Sequence, residues 1–267
     1  MERSGAASFS TVMQHETTTL VEGKPAPPVD LIRGASLFLD FDGTLVEIAD
    51  RPDAVIVDDR LRAVLTALDT ALERRLAIVT GRPAAEVERL LGLARLSVSG
   101  SHGAEIVWPD GRRREAAPPA WLAPTVSRLE AFSRDRPGVL VEVKPFGVAL
   151  HYRQAPEAEL ACQRFAESLT ETSDIHLQRG KMVVEFRVPG ADKGDAITAF
   201  MADRPMIGTR PIVFGDDLTD EAAFAAAKAL GGIGVLVGDD RPSEAQYRLA
   251  GVPETINWLE AAARVAA

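Results

Sequence analysis

Apolar residues along this chain fall into short unbroken runs separated by longer segments of helical spacing. Leu37-Phe38-Leu39, Leu76-Ala77-Ile78-Val79, Ile212-Val213-Phe214 and Val235-Leu236-Val237 carry no polar alternation. Strands buried on both faces read in this way. Between them, residues 58–72, 84–91, 195–201 and 220–230 predict helices. Residues 254–267 are Ala-rich, with Ile256, Leu259 and Val265 at roughly helical spacing, and predict a closing helix. The alternation predicts an α/β fold: a Rossmann-like, mostly parallel sheet with helices on both faces.

The middle of the chain changes period. Residues 139–144 alternate, Pro145-Phe146-Gly147 turns, and 148–153 continue. A helix is predicted over 155–169, then a second hairpin over 176–188 turning at Arg179-Gly180. That order is strand-strand-helix-strand-strand, an α+β module inserted into the α/β core. Period 2 puts Glu142 and Lys144 on one face, and Lys181 and Glu185 together on another. The predicted organisation is a flexible tail over 1–33, a core over 34–110 and 190–267, and the insert over 111–189. Residues 108–121 carry the chain across.

Composition narrows the function. Of the 267 residues, 46% are hydrophobic and 26% charged, as in ordinary soluble proteins. A net charge of −9 with no long basic run argues against nucleic acid; Arg112-Arg113-Arg114 is too short. The single cysteine, Cys162, forbids an intrachain disulfide and is assigned to the core. No apolar run is long enough for a membrane span, and no signal peptide is seen. The expectation is a cytoplasmic protein without a membrane partner. The oligomeric state stays open, with a monomer compatible.

Candidate chemistry sits at the strand ends. Asp40 and Asp42 follow the first run at i, i+2, with Gly43 and Thr44 behind them. In open parallel sheets ligands bind outside the carboxyl ends of strands. Two carboxylates so close repel unless a cation or proton lies between them. The second run ends in Thr80-Gly81-Arg82. Lys193 stands where a helix begins. The third run ends in Gly215-Asp216-Asp217-Leu218-Thr219-Asp220.

These four segments, in this order, resemble the motifs of the haloacid dehalogenase superfamily of phosphatases, and the likeness runs through most of the chain after Gly34. The resemblance implies that the insert is a cap over the active site. It further implies that Asp40 is the nucleophile and Asp42 the general acid and base. Thr80 and Lys193, with backbone amides near Gly43 and Thr44, would hold the phosphoryl group. Mg²⁺ would lie on the Asp40 carboxylate, the Asp42 carbonyl and Asp216, with Asp217 and Asp220 supporting the metal site. Ser101-His102-Gly103 in the core, and Glu142-Val143-Lys144, His151-Tyr152-Arg153 and Gly180-Lys181 through Glu185 in the insert, are similar to the trehalose-6-phosphate phosphatases. That likeness implies substrate contacts at Arg82, Ser101, His102, Glu142, Lys144, Arg153, Lys181 and Glu185. Ser101 departs from the Asn usual there, and Val188 stands where a Pro often does. His151 and His176 are assigned structural roles. The implied partner is a small sugar phosphate. Rival readings are another sugar phosphatase, for sucrose 6-phosphate or a glycosyl-phosphoglycerate, a phosphomutase, and a catalytically dead sugar-phosphate sensor.

Overall fold

The structure is a computed structural model; it describes residues 23–49, 51, 54–93, 95–170, 175–188 and 192–267. The first 22 residues of the predicted tail, and the predicted return to the core at 189–190, lie outside these. Twelve strands and seven α-helices are formed among the described residues: β1 (Ala35–Leu39), α1 (Asp59–Ala71), β2 (Leu76–Val79), α2 (Ala84–Leu91), β3 (Ser97–Gly100), β4 (Glu105–Val107), β5 (Arg113–Glu115), α3 (Leu122–Ser133), β6 (Leu140–Lys144), β7 (Gly147–His151), α4 (Glu159–Thr170), β8 (His176–Gly180), β9 (Val183–Arg187), α5 (Lys193–Met201), β10 (Arg210–Gly215), α6 (Glu221–Ala229), β11 (Ile233–Val237), β12 (Tyr247–Leu249) and α7 (Val252–Ala266).

The large sheet runs β12-β11-β10-β1-β2-β3-β4-β5. Its strands are parallel from β12 to β3, and β4 and β5 close one edge antiparallel. The unbroken apolar runs serve both faces. Leu37, Leu39, Ile78, Ile212, Phe214 and Val235 pack toward α1, α2 and α7. Phe38, Ala77, Val79, Val213 and Leu236 pack toward α5 and α6. The α/β architecture with a parallel sheet covered on both sides is therefore the observed one.

The small sheet, β6-β7-β9-β8, is antiparallel throughout. One face carries Val148, Leu150, Val184 and Phe186, which meet Leu129 of α3 and Cys162, Ala166 and Leu169 of α4. The other face carries Glu142, Lys144, His151 and Glu185 and is turned toward the carboxyl ends of the large sheet.

Four features differ from the sequence reading. Residues 23–33 are not a free tail: Trp258 Nε1 donates to Pro27 O, Arg248 N to Pro25 O, and Ile32 is fully buried. The large sheet extends to Glu115, past the boundary set at 110, because β5 pairs with β4. Helix α3 precedes the first hairpin of the insert. In the second hairpin, Lys181 and Met182 form the turn and the strand starts at Val183, so Lys181 does not share a strand face with Glu185. No helix among the described residues is long and apolar enough to cross a membrane.

Candidate active site

Strand parity places Asp40. Phe38 points to the α5 side of the large sheet, and Asp40, two residues on, points the same way just past the strand end. There it meets the first residue of α5. Asp192 caps that helix, its Oδ1 accepting from Asp195 N at 2.8 Å, so helix geometry fixes Lys193. A lysine at a helix N-terminus is opposed by the helix dipole. Here two carboxylates offset that cost. Lys193 Nζ donates to Asp40 Oδ1 and to Asp220 Oδ1, each at 2.6 Å. All three side chains are buried.

Asp216 completes the floor. Carboxylate oxygens of Asp40, Asp216 and Asp220 lie within 4.8 Å of one another. Gly43 approaches this cluster with φ +83°, and a Cβ there would run into the Asp216 carboxylate. Only glycine meets both demands. Asp220 is fully engaged: Oδ1 takes Lys193, and Oδ2 accepts from Asp217 N at 3.0 Å. Burial, then the repulsion of neighbouring acids, raises the Asp216 carboxyl to about 6. Burial likewise pushes Asp40 well above the carboxylate range, although Lys193 pulls it down. The facing carboxylates push the Lys193 pKa upward against the effect of burial, so it stays charged. Three acids thus outnumber the one buried ammonium among them. Hard oxygen donors that resist full ionisation while crowded together suit a divalent cation.

Asp42 is not part of the cluster. Its carboxylate is gripped by Arg82, Nε to Oδ2 at 2.7 Å and Nη2 to Oδ1 at 2.9 Å. Arg82 also bonds Glu86, in the first turn of α2. Thr80, buried at the end of β2, accepts from Arg82 N at 3.2 Å.

The opposite wall belongs to the small sheet. Lys144 Nζ donates to Glu185 and lies 3.4 Å from Gly81 O. His102 Nε2 meets Glu185 Oε2 at 2.8 Å across the seam between the sheets. The His102 ring lies so close over Gly81 that a Cβ there would collide with it. Burial lowers the His102 pKa to about 4, although Glu185 opposes this. Burial disfavours the charge on Glu185, but Lys144 and His102 overcome it and hold its carboxyl well below the usual range. His102 is therefore the neutral donor to an ionised Glu185. Beside them Glu142 Oε2 pairs with His151 Nε2 at 2.7 Å.

Most predicted site residues line one cleft of about 200 Å³: Asp40, Asp42, Thr80, Arg82, His102, Glu142, Lys144, Arg153, Lys181, Glu185, Lys193, Asp216 and Asp217. Gly43, Thr44, Ser101 and Asp220 do not line it. Thr44 is fully enclosed, since its position continues into the core with Leu45 and Val46. Ser101 instead donates to Glu105 Oε1 at 2.6 Å. Lys181 stands in the hairpin turn and reaches the floor, 3.5 Å from Asp216 Oδ2. Arg153 donates to Lys181 O at 3.2 Å and so steadies that turn. His151, assigned a structural role from sequence, faces the cleft. The first hairpin could have revealed it: Glu142 pairs with Ala149, and His151 shares the parity of Ala149.

A family model described as Trehalose-phosphatase matches residues 38–253, and the chain belongs to this family. It is 41% identical over 225 residues to the trehalose-6-phosphate phosphatase of Escherichia coli K12, covering 84% of each chain. A solved structure of a trehalose-6-phosphate phosphatase related protein superposes with TM-score 0.70 at 29% identity, over 84% of this chain and 95% of that one. The trehalose-6-phosphate phosphatase C-terminal domain of C. albicans shares the fold: TM-score 0.78 at 22% identity, over 90% of this chain and 98% of that one. The protein is an enzyme of the phosphatase class.

Proposed function

We propose that this enzyme hydrolyses trehalose 6-phosphate to trehalose and phosphate through a phosphoryl group carried on Asp40. The observation that carries the reading is the cleft itself. A carboxylate paired with a buried lysine lies at its base, and a strand face holding both donors and acceptors lies opposite. An anionic phosphate belongs near Lys193, and a polyhydroxylated sugar belongs against Glu142, Lys144 and Glu185.

In the first step an Asp40 oxygen forms a bond to phosphorus as the bond from phosphorus to the sugar oxygen breaks. Asp42 gives its proton to that departing oxygen. In the second step Asp42 takes a proton from water, whose oxygen attacks phosphorus and releases Asp40. Lys193 and the Thr80 hydroxyl offset charge on the phosphoryl oxygens. Asp40, the Asp42 carbonyl and Asp216 would hold Mg²⁺, which when bound would neutralise the clustered acids and the phosphoryl charge. Asp220 fits a supporting role, because both its oxygens already have protein partners. The small sheet acts as a cap that excludes bulk water and reads the sugar.

Phosphate release should be measured across trehalose 6-phosphate, sucrose 6-phosphate and glucose 6-phosphate. Trehalose 6-phosphate should give the highest kcat/KM by a wide margin. Equal turnover of all three would make this a sugar phosphatase of broad scope.

A further inference from the structure

The loop that carries Asp216 is held from behind by a group that lies outside the motifs. Arg241 sits between β11 and β12. Its Nη2 donates to Asp217 O at 2.9 Å and lies 3.5 Å from Asp216 O. Its Nη1 is paired with Glu221, the first residue of α6. Glu221 in turn accepts from Ser243 Oγ at 3.1 Å and from Glu244 N at 2.8 Å. The far side of the loop is tied to the N-terminal segment: Lys24 Nζ donates to Arg241 O and to Asp240 Oδ1, both at 2.9 Å. One planar guanidinium therefore joins the backbone of the acidic loop, the start of α6 and the β11–β12 loop.

We infer that Arg241 is a positioning residue for Asp216, fixing the backbone of residues 216–217 so that the carboxylate stays against Gly43 and beside Asp40. The inference rests on the proposed Mg²⁺ site. Charge cannot be the reason for an arginine here. A cation near the floor opposes uptake of another cation, and the paired Glu221 offsets its charge. What remains is geometry, and a rigid fork supplies it where a flexible ammonium does not. Groups that orient metal ligands typically affect metal affinity by about 10- to 100-fold.

The test is calorimetric titration of MgCl₂ into the substrate-free protein, for wild type, Arg241→Lys and Arg241→Met. The brace predicts that both variants bind about tenfold more weakly than wild type. A purely electrostatic role predicts no such loss, with Arg241→Lys unchanged and Arg241→Met tighter. Lys24→Met, at the solvent side of the same network, should fold normally and show a smaller loss in the same direction. It decides the matter if the Arg241 variants unfold. Wild-type protein that takes up no Mg²⁺ overturns the metal reading and the brace with it. Wild type that binds while every variant binds equally well overturns the brace alone.

Discussion

Arg82 grips Asp42 with two arms of its guanidinium, at 2.7 and 2.9 Å, and Glu86 holds the arginine from α2. Both partners come from the large sheet, so the pair exists without any contribution from the small one. A fork matched to a carboxylate fixes its plane as well as its position. The resemblance to the family suggested a substrate contact at Arg82; the geometry adds the orientation of the proposed acid and base. Arg82→Lys keeps the charge and loses the fork. It should lower kcat for trehalose 6-phosphate by about tenfold or more, within the usual range of a general acid–base contribution. Formation of phosphoenzyme from an aryl phosphate should suffer less, because a phenolate leaves without help from a proton. A rapid-quench comparison of the two substrates checks this; equal losses would return Arg82 to substrate binding.

The layout of the large sheet was legible because both of its faces are covered. Unbroken apolar runs leave little choice of strand, and the strand ends then locate Asp40, Thr80 and Asp216. Strands β3 to β5 were harder, since Ser97 and Ser99 are polar yet buried, and β5 is wholly polar at the sheet edge. Lys181 was misplaced because a two-residue turn at Lys181-Met182, with Met182 at φ +63°, contains no glycine to announce it. Residues 23–33 read as a linker because their proline content masks specific bonds from Pro25 O and Pro27 O. Which carboxylates share the floor was only partly legible. Asp220 reaches Lys193 through a turn, a relation set by backbone geometry rather than by spacing.

Asp40→Asn and Asp42→Asn should both abolish turnover, for different reasons. The first removes the nucleophile and one carboxylate of the cluster. The second removes a carboxylate bound to Arg82 and leaves the backbone carbonyl in place. Mg²⁺ affinity measured by calorimetry should therefore fall markedly in Asp40→Asn and little in Asp42→Asn. Equal losses would argue against a carbonyl ligand at Asp42.

His102 should make the protein less stable in mild acid. Its folded pKa is about 4, set first by burial, against an ordinary value of 6.5. Between those values the unfolded chain binds a proton that the folded chain refuses. Stability therefore rises with pH through this window and is lost as pH falls from about 6.5 toward 4. The shift caps the effect at about 3 kcal/mol. Lys144 and Arg187 face the ring and also oppose its charge, while Glu185 favours it. Asp216, raised to about 6, titrates in the opposite sense, so the comparison must be made between chains. His102→Gln keeps a donor for Glu185 but does not titrate. Its melting temperature should fall less steeply than wild type between pH 6.5 and 4.5. Parallel curves would place the acid sensitivity elsewhere.

The two glutamates of the small sheet separate sugar recognition from chemistry. Glu142 and Glu185 cannot bind the phosphate, since all are anionic. Each carboxylate has about four acceptor sites. Glu185 uses some on Lys144 and His102, and Glu142 on His151, which leaves others for sugar hydroxyls. Removing Glu185 outright would strand the buried Lys144 charge, so Glu185→Gln is the cleaner probe beside Glu185→Ala. Glu142, with lower burial, tolerates Ala. Loss of a polar partner from a site built to pair with a ligand is worth about 10²-fold or more in kcat/KM. Glu142→Ala and Glu185→Gln should show such losses with trehalose 6-phosphate. A small aryl phosphate that never touches the small sheet should be hydrolysed at nearly the wild-type rate, because Asp40, Asp42 and Lys193 are untouched. Losses of equal size on both substrates would make the glutamates supports of the fold. No loss on either would leave them a charged strand face, and the specificity for trehalose 6-phosphate would have to reside elsewhere in the cleft.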